Sequence, residues 1–103
     1  MNWYQDLYVS ENIADKAETL REELENGRYR RDVYLITLAM NGKDLLDIRK
    51  ASCLARESLR RNLPMIVGLS SGYENAVNLS CRIVTECCEK TGDVDLRSYL
   101  GET

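Results

Sequence analysis

Pro64-Met65-Ile66-Val67-Gly68-Leu69-Ser70-Ser71-Gly72-Tyr73-Glu74 passes from an uncharged apolar segment through a Gly/Ser turn into a helix-period segment. A second uncharged window, Val33 to Gly42, holds Val33-Tyr34-Leu35-Ile36-Thr37-Leu38-Ala39. Both cores are rich in β-branched residues and lack polar alternation. Such runs read as strands buried on both faces, the pattern of a parallel sheet. The expected fold class is therefore α/β: one small three-layer-like βαβ domain over residues 1–103, with two or three parallel strands flanked by helices. The path from Val33 through the following helix to Met65 is expected to be a right-handed βαβ crossover.

Three longer helices are expected. The first spans about Ser10 to Asn26, with Ser10 as N-cap, Gly27 at the left-handed end and Ile13, Ala17, Leu20 and Leu24 as its stripe. The second spans about Lys43 to Arg61, with Leu45, Ile48, Ser52, Ala55 and Leu59 inward. The third spans about Tyr73 to Lys90, with Ala76, Ser80, Ile83 and Cys87 inward and Gly92 as its stop. A short helix is expected over Asp95 to Leu100. The N-terminal segment has two readings. Trp3/Leu7 and Tyr4/Tyr8 have helical i, i+4 spacing, yet Leu7-Tyr8-Val9 before Ser10 also suits a strand. The element order is βαβαβα in one case and αβαβα in the other.

The 103 residues carry a net charge of −3, which argues against nucleic acid as a partner. No apolar run approaches the roughly 20 residues that span a bilayer, and no signal-peptide pattern opens the chain. The expectation is a cytoplasmic protein without a membrane partner. From Ser10 to Gly27 there are six acids and two bases, and from Lys43 to Arg61 six bases and three acids. These segments read as solvated faces that attract each other within a chain or across a dimer, or as a basic docking surface of Arg49, Arg56, Arg60 and Arg61. A sheet of so few buried-type strands also leaves its edges bare. A homodimer paired across a two-fold axis would cover one edge, with a protein partner as a further expectation.

Gly68-Leu69-Ser70-Ser71-Gly72 spells G-x-S-x-G, the pattern of a serine-hydrolase elbow. A serine nucleophile needs a base, and the chain contains no histidine. Hydrolysis by Ser70 is therefore the third functional reading, and no catalytic residue is assigned. No metal site or cofactor is expected: Cys53, Cys81, Cys87 and Cys88 contain no C-x-x-C pair and have no histidine to join them. They read as small apolar core residues in a reducing compartment, with Cys88 as the alternative reactive thiol. No phosphate-loop or dinucleotide fingerprint occurs.

In an open parallel sheet, ligands bind beyond the carboxyl ends of the strands. Two loops would lie there, one with Asn41, Gly42 and Lys43 and one with Ser70, Ser71 and Gly72. Both would lead into helix N-termini, where free N–H groups favour an anion. The leading expectation is a non-catalytic accessory or protein-interaction domain. The alternative is a module that binds an anionic metabolite or phosphate at these two loops.

Leu7-Tyr8-Val9-Ser10-Glu11-Asn12-Ile13, Tyr34-Leu35-Ile36-Thr37-Leu38-Ala39 with Leu45-Leu46-Asp47-Ile48, and Val67-Gly68 with Gly72-Tyr73-Glu74-Asn75-Ala76 together resemble a family of short uncharacterised bacterial proteins of the clostridial type. The resemblance covers most of the chain. It implies no activity and no catalytic residue, and it favours Leu7 to Val9 as a strand.

Overall fold

The computed structural model describes residues 1–39, 45–92 and 96–100. Strand β1 (Trp3–Val9) leads through a 3₁₀ segment (Glu11–Lys16) into α1 (Ala17–Glu25). Then come β2 (Val33–Leu38), β3 (Leu46–Lys50), a second 3₁₀ segment (Ala51–Ala55) and α2 (Glu57–Arg61). Strand β4 (Ile66–Ser71), the long α3 (Tyr73–Thr91) and the short α4 (Leu96–Tyr99) complete the order. The protein is an α/β structure built on one four-stranded sheet of order β1-β4-β2-β3.

The sheet is mixed. β1 runs parallel to β4, whereas β2 is antiparallel to both β4 and β3. It follows that β1, β4 and β3 share one direction and β2 opposes them. The expected direct parallel crossover from Val33 to Met65 is thus corrected: β2 and β4 are antiparallel neighbours, with Val33 opposite Ser71 and Leu35 opposite Leu69. The crossover that exists runs from β3 to β4 and passes β2.

This correction has one origin, the segment expected as a helix from Lys43 to Arg61. Leu46-Asp47-Ile48-Arg49-Lys50 alternates apolar and charged residues, which is the strand period of two. Leu46 and Ile48 pack against one core cluster, while Asp47 and Arg49 pair with each other at 3.1 Å. Downstream, the inward residues are Ala51 and Leu54, and Ser52 and Ala55 are exposed. Only Glu57–Arg61 is α-helical.

The N-terminal segment is a strand. Trp3, Leu7 and Val9 meet one core cluster and Tyr4 and Tyr8 the other. A spacing of four is a multiple of two as well as close to one helical turn, so it fits either period. Register along β4 breaks between Trp3 and Tyr8, which marks an irregular edge.

The strands within both uncharged windows are doubly buried, as expected. Leu35, Ile36, Ile66, Val67 and Leu69 are all 0% exposed. One face carries the cluster of Ile13, Leu20, Leu24, Leu35, Leu54, Ile66 and Leu69. The other carries Ile36, Leu38, Val67, Leu79, Ile83, Cys87, Leu96 and Leu100 under α3 and α4. In the first helical region Ile13, Leu20 and Leu24 are buried as expected, but the first turns are 3₁₀. The Ser10 hydroxyl caps nothing and donates instead to Asn12 Oδ1 at 2.6 Å. α3 stops at Gly92, as expected, and Gly92 has φ 71°, a left-handed conformation. Leu79 rather than Ser80 joins its buried face. Among the described residues no helix is long and apolar enough to cross a membrane.

Candidate functional site

Because β1 and β4 are parallel, their carboxyl ends lie together, and the antiparallel β2 begins beside them. The backbone closes this corner: Ser10 N–H donates to Leu69 O at 3.1 Å, and Gly72 N–H to Asp32 O at 2.8 Å. Side chains then tie it down. The Ser71 hydroxyl donates to Asp32 Oδ2 at 2.8 Å. Asn12 and Asn75 both donate to Ser71 O, at 3.2 and 3.0 Å. Ser71 is therefore held through its hydroxyl and its carbonyl at the point where β4 passes into α3.

A cleft of about 550 Å³ opens between the β1 exit and α3, lined by Ser10, Glu11, Asn12, Asn75, Asn78, Leu79 and Arg82. A smaller one of about 320 Å³ lies on the other side of Asn12, with Lys16, Thr19, Glu23, Arg30, Asp32 and Ser71 on its walls. The first offers three carboxamides and a guanidinium beside the N-terminus of a 19-residue helix that no side chain caps. Those groups donate hydrogen bonds and positive potential, which suits an anionic or strongly polar small ligand.

Arg82 is positioned by an aromatic ring, since its guanidinium carbon lies 5.6 Å from the Tyr8 ring centroid. Burial is the first cause that pushes the Tyr8 phenol well above its ordinary range, followed by hydrogen bonding to Glu86 and Tyr99. Tyr8 thus stays neutral at ordinary pH and presents its ring to Arg82. In the smaller cleft, the Arg30 hydrogen bonds hold the Glu23 carboxyl below the usual carboxylate range.

Of the two expected ligand loops, only the one with Ser70, Ser71 and Gly72 lies within the described residues. Asn41, Gly42 and Lys43 lie outside the described residues. The strand leading to them ends at the other end of β4, where Leu38 N–H donates to Met65 O at 3.2 Å. The shared-edge premise assumed parallel β2 and β4, and it falls with their antiparallel pairing. Ser70 is fully buried, and among the described residues its hydroxyl has no hydrogen-bond partner. A substrate cannot reach it, so the G-x-S-x-G match does not form a nucleophile elbow. Ser71 and Gly72 do sit at the corner, as structural parts of it.

Gly72 has φ 86° and ψ 140°, a conformation close to glycine-only territory, although a Cβ would meet only Asn75 Nδ2 at 3.6 Å. Gly72→Ala is expected to cost about 1–2 kcal/mol through backbone strain alone. Urea denaturation checks this, and a midpoint equal to the native one contradicts the assignment.

Sequence reasoning missed Asn12, Asp32, Asn75, Asn78 and Arg82. Asn75, Asn78 and Arg82 recur at i, i+3, i+7, a polar stripe along one helix face, and that spacing was a usable signal. Asn12 and Asp32 join only through the sheet order. Among the described residues no three His, Cys, Asp or Glu side chains cluster as metal ligands. Cys87 is buried and Cys81 is the exposed thiol, while Cys53 and Cys88 are intermediate. Burial pushes the Cys53 thiol up.

No family model matches the chain, and no curated protein or solved structure matches it either.

Proposed function

We propose that this chain is a non-catalytic protein-interaction domain that works as a homodimer. The observation that carries the reading is the open edge of its sheet. Both faces are covered by helices, yet among the described residues β3 has no strand on its outer side. Its five residues pair with β2 in unbroken register, so the outer row of backbone groups is evenly presented. The finer fold description, a three-layer βαβ arrangement, belongs to the same reading and is supported by core clusters on both faces. So does a bacterial cytoplasmic setting: four unbridged cysteines suit a reducing compartment. Light scattering coupled to size exclusion at tens of micromolar tests it. The expected mass is twice 11.8 kDa, and a monomer overturns the reading.

A second reading is favoured by the carboxamide cleft: an anionic metabolite held by Asn12, Asn75, Asn78 and Arg82. It predicts a raised melting temperature with some member of a phosphorylated-metabolite panel, and loss of that rise in Arg82→Ala. No shift across the panel discards it.

A further inference from the structure

We infer that β3 pairs with the β3 of a second copy of this chain, antiparallel about a two-fold axis at Ile48. This rests on the homodimer reading and names its surface. Leu46-Asp47-Ile48-Arg49-Lys50 places an acid and a base one residue either side of Ile48. Antiparallel pairing centred there sets Asp47 opposite the partner's Arg49 and Arg49 opposite the partner's Asp47. Directly opposed side chains on one face lie about 5 Å apart, and unlike charges there are favourable. The neighbouring registers are disfavoured. Centring on Asp47 opposes two carboxylates, and centring on Arg49 opposes two guanidinium groups. A one-residue slip would send side chains to opposite faces. The charge order therefore selects one isologous register.

Three further observations agree. Among the described residues Arg49 has a buried Nε without a hydrogen-bond partner, beside a carboxylate that is itself 31% exposed. A second carboxylate across the axis would join that cluster. The other edge, β1, is unsuited: its register breaks between Trp3 and Tyr8, and Gln5 and Asp6 are exposed in the break. Edges with broken register resist pairing. Leu45, 39% exposed just before β3, adds apolar surface next to the junction.

The test uses charge reversal. Asp47→Arg and Arg49→Asp each oppose like charges twice across the axis, so each is expected to weaken dimerisation roughly a hundredfold and run as a monomer. Mixed in equal amounts they are expected to form a one-to-one dimer, because the mixture restores unlike pairs. The double variant D47R/R49D is expected to dimerise by itself. A role confined to the in-chain ion pair gives no such recovery on mixing. Single variants that stay dimeric, or a mixture that stays monomeric, overturn this surface and leave the homodimer reading standing. A monomeric native chain overturns that reading itself. Hydrogen exchange on the native chain gives the same answer without substitution. The β3 amides that point away from β2 are expected to be slow at dimer concentrations and fast on dilution, and exchange of those amides that is independent of concentration overturns the proposal.

Discussion

Ile83→Ala is expected to lower the unfolding free energy by about 3–4 kcal/mol, the largest loss from any single substitution considered. Ile83 is 0% exposed on the inner face of α3, in the cluster with Ile36, Val67, Leu79 and Cys87. Truncation removes three carbon atoms from contact with the sheet, and the cavity remains unless the walls move inward. Large-to-small core changes of this kind cost about 2–5 kcal/mol, more where collapse is hindered. Here the floor is the sheet's two central strands, paired on both sides, and α3 is held along 19 residues. Little relaxation is available, so the expected value lies well above the bottom of that range. Val84, next in sequence and only half-buried, is the control, with an expected loss near 1 kcal/mol for Val84→Ala. Guanidinium denaturation of both variants decides it. Equal losses at the two positions would mean that α3 is rotated from the orientation described.

Gly68→Val is expected to cost about 3 kcal/mol for the opposite reason. Gly68 lies where register between β2 and β4 slips, after the pair Ile36–Gly68. A Cβ there would stand 3.1 Å from Ile36 Cδ1, 3.2 Å from Ile36 Cβ and 3.3 Å from Leu79 Cδ2. Ile36 Cβ is fixed to a central strand and cannot swing aside. Added volume in a filled core costs about 1–3 kcal/mol, and a branched side chain belongs at the top of that range. Shortening the neighbour should recover part of the loss. In an Ile36→Val background, which removes the 3.1 Å clash, Gly68→Ala is expected to be less harmful than in the native chain. Strictly additive effects would show that the two residues do not press on each other. Gly68 is thus required by a close approach and Gly72 by its backbone angle, although both belong to one G-x-S-x-G string.

That string shows where reading residues in order succeeds and where it fails. The strand, turn and helix from Ile66 to Thr91 were legible, because each element is long or strongly periodic and local geometry suffices to form it. The left-handed glycines Gly27 and Gly92 were legible for the same reason: they end helices, and the end of a helix is a local event. Ser70 was misleading. Its neighbours imitate an exposed elbow, but Ser70 is 0% exposed in the folded chain, and exposure is not set by the residues adjacent in sequence.

Leu45 to Leu59 failed for a different reason. Its apolar residues fit a helical stripe over fifteen positions and a strand over five. The strand prevails because β2 offers an unpaired edge for Leu46 to Lys50. Tertiary context overrides propensity where the local preference is weak. The candidate site inherited this error. With β2 antiparallel to β4, the carboxyl end of β2 at Leu38 lies away from the corner that holds Ser71 and Gly72. Asn12 and Asp32 took part instead, brought in by pairings 59 and 39 residues apart in sequence.

The sequence by itself determined the α/β class, two doubly buried strands, the long α3 and the absence of any imidazole. Those follow from composition and short-range periodicity, which act within one element. Only the tertiary structure decided the strand directions, the fate of Lys43 to Arg61, the burial of Ser70 and the residues that meet around Ser71. These depend on which edge each strand finds, and that choice is made by contacts between segments far apart in the chain.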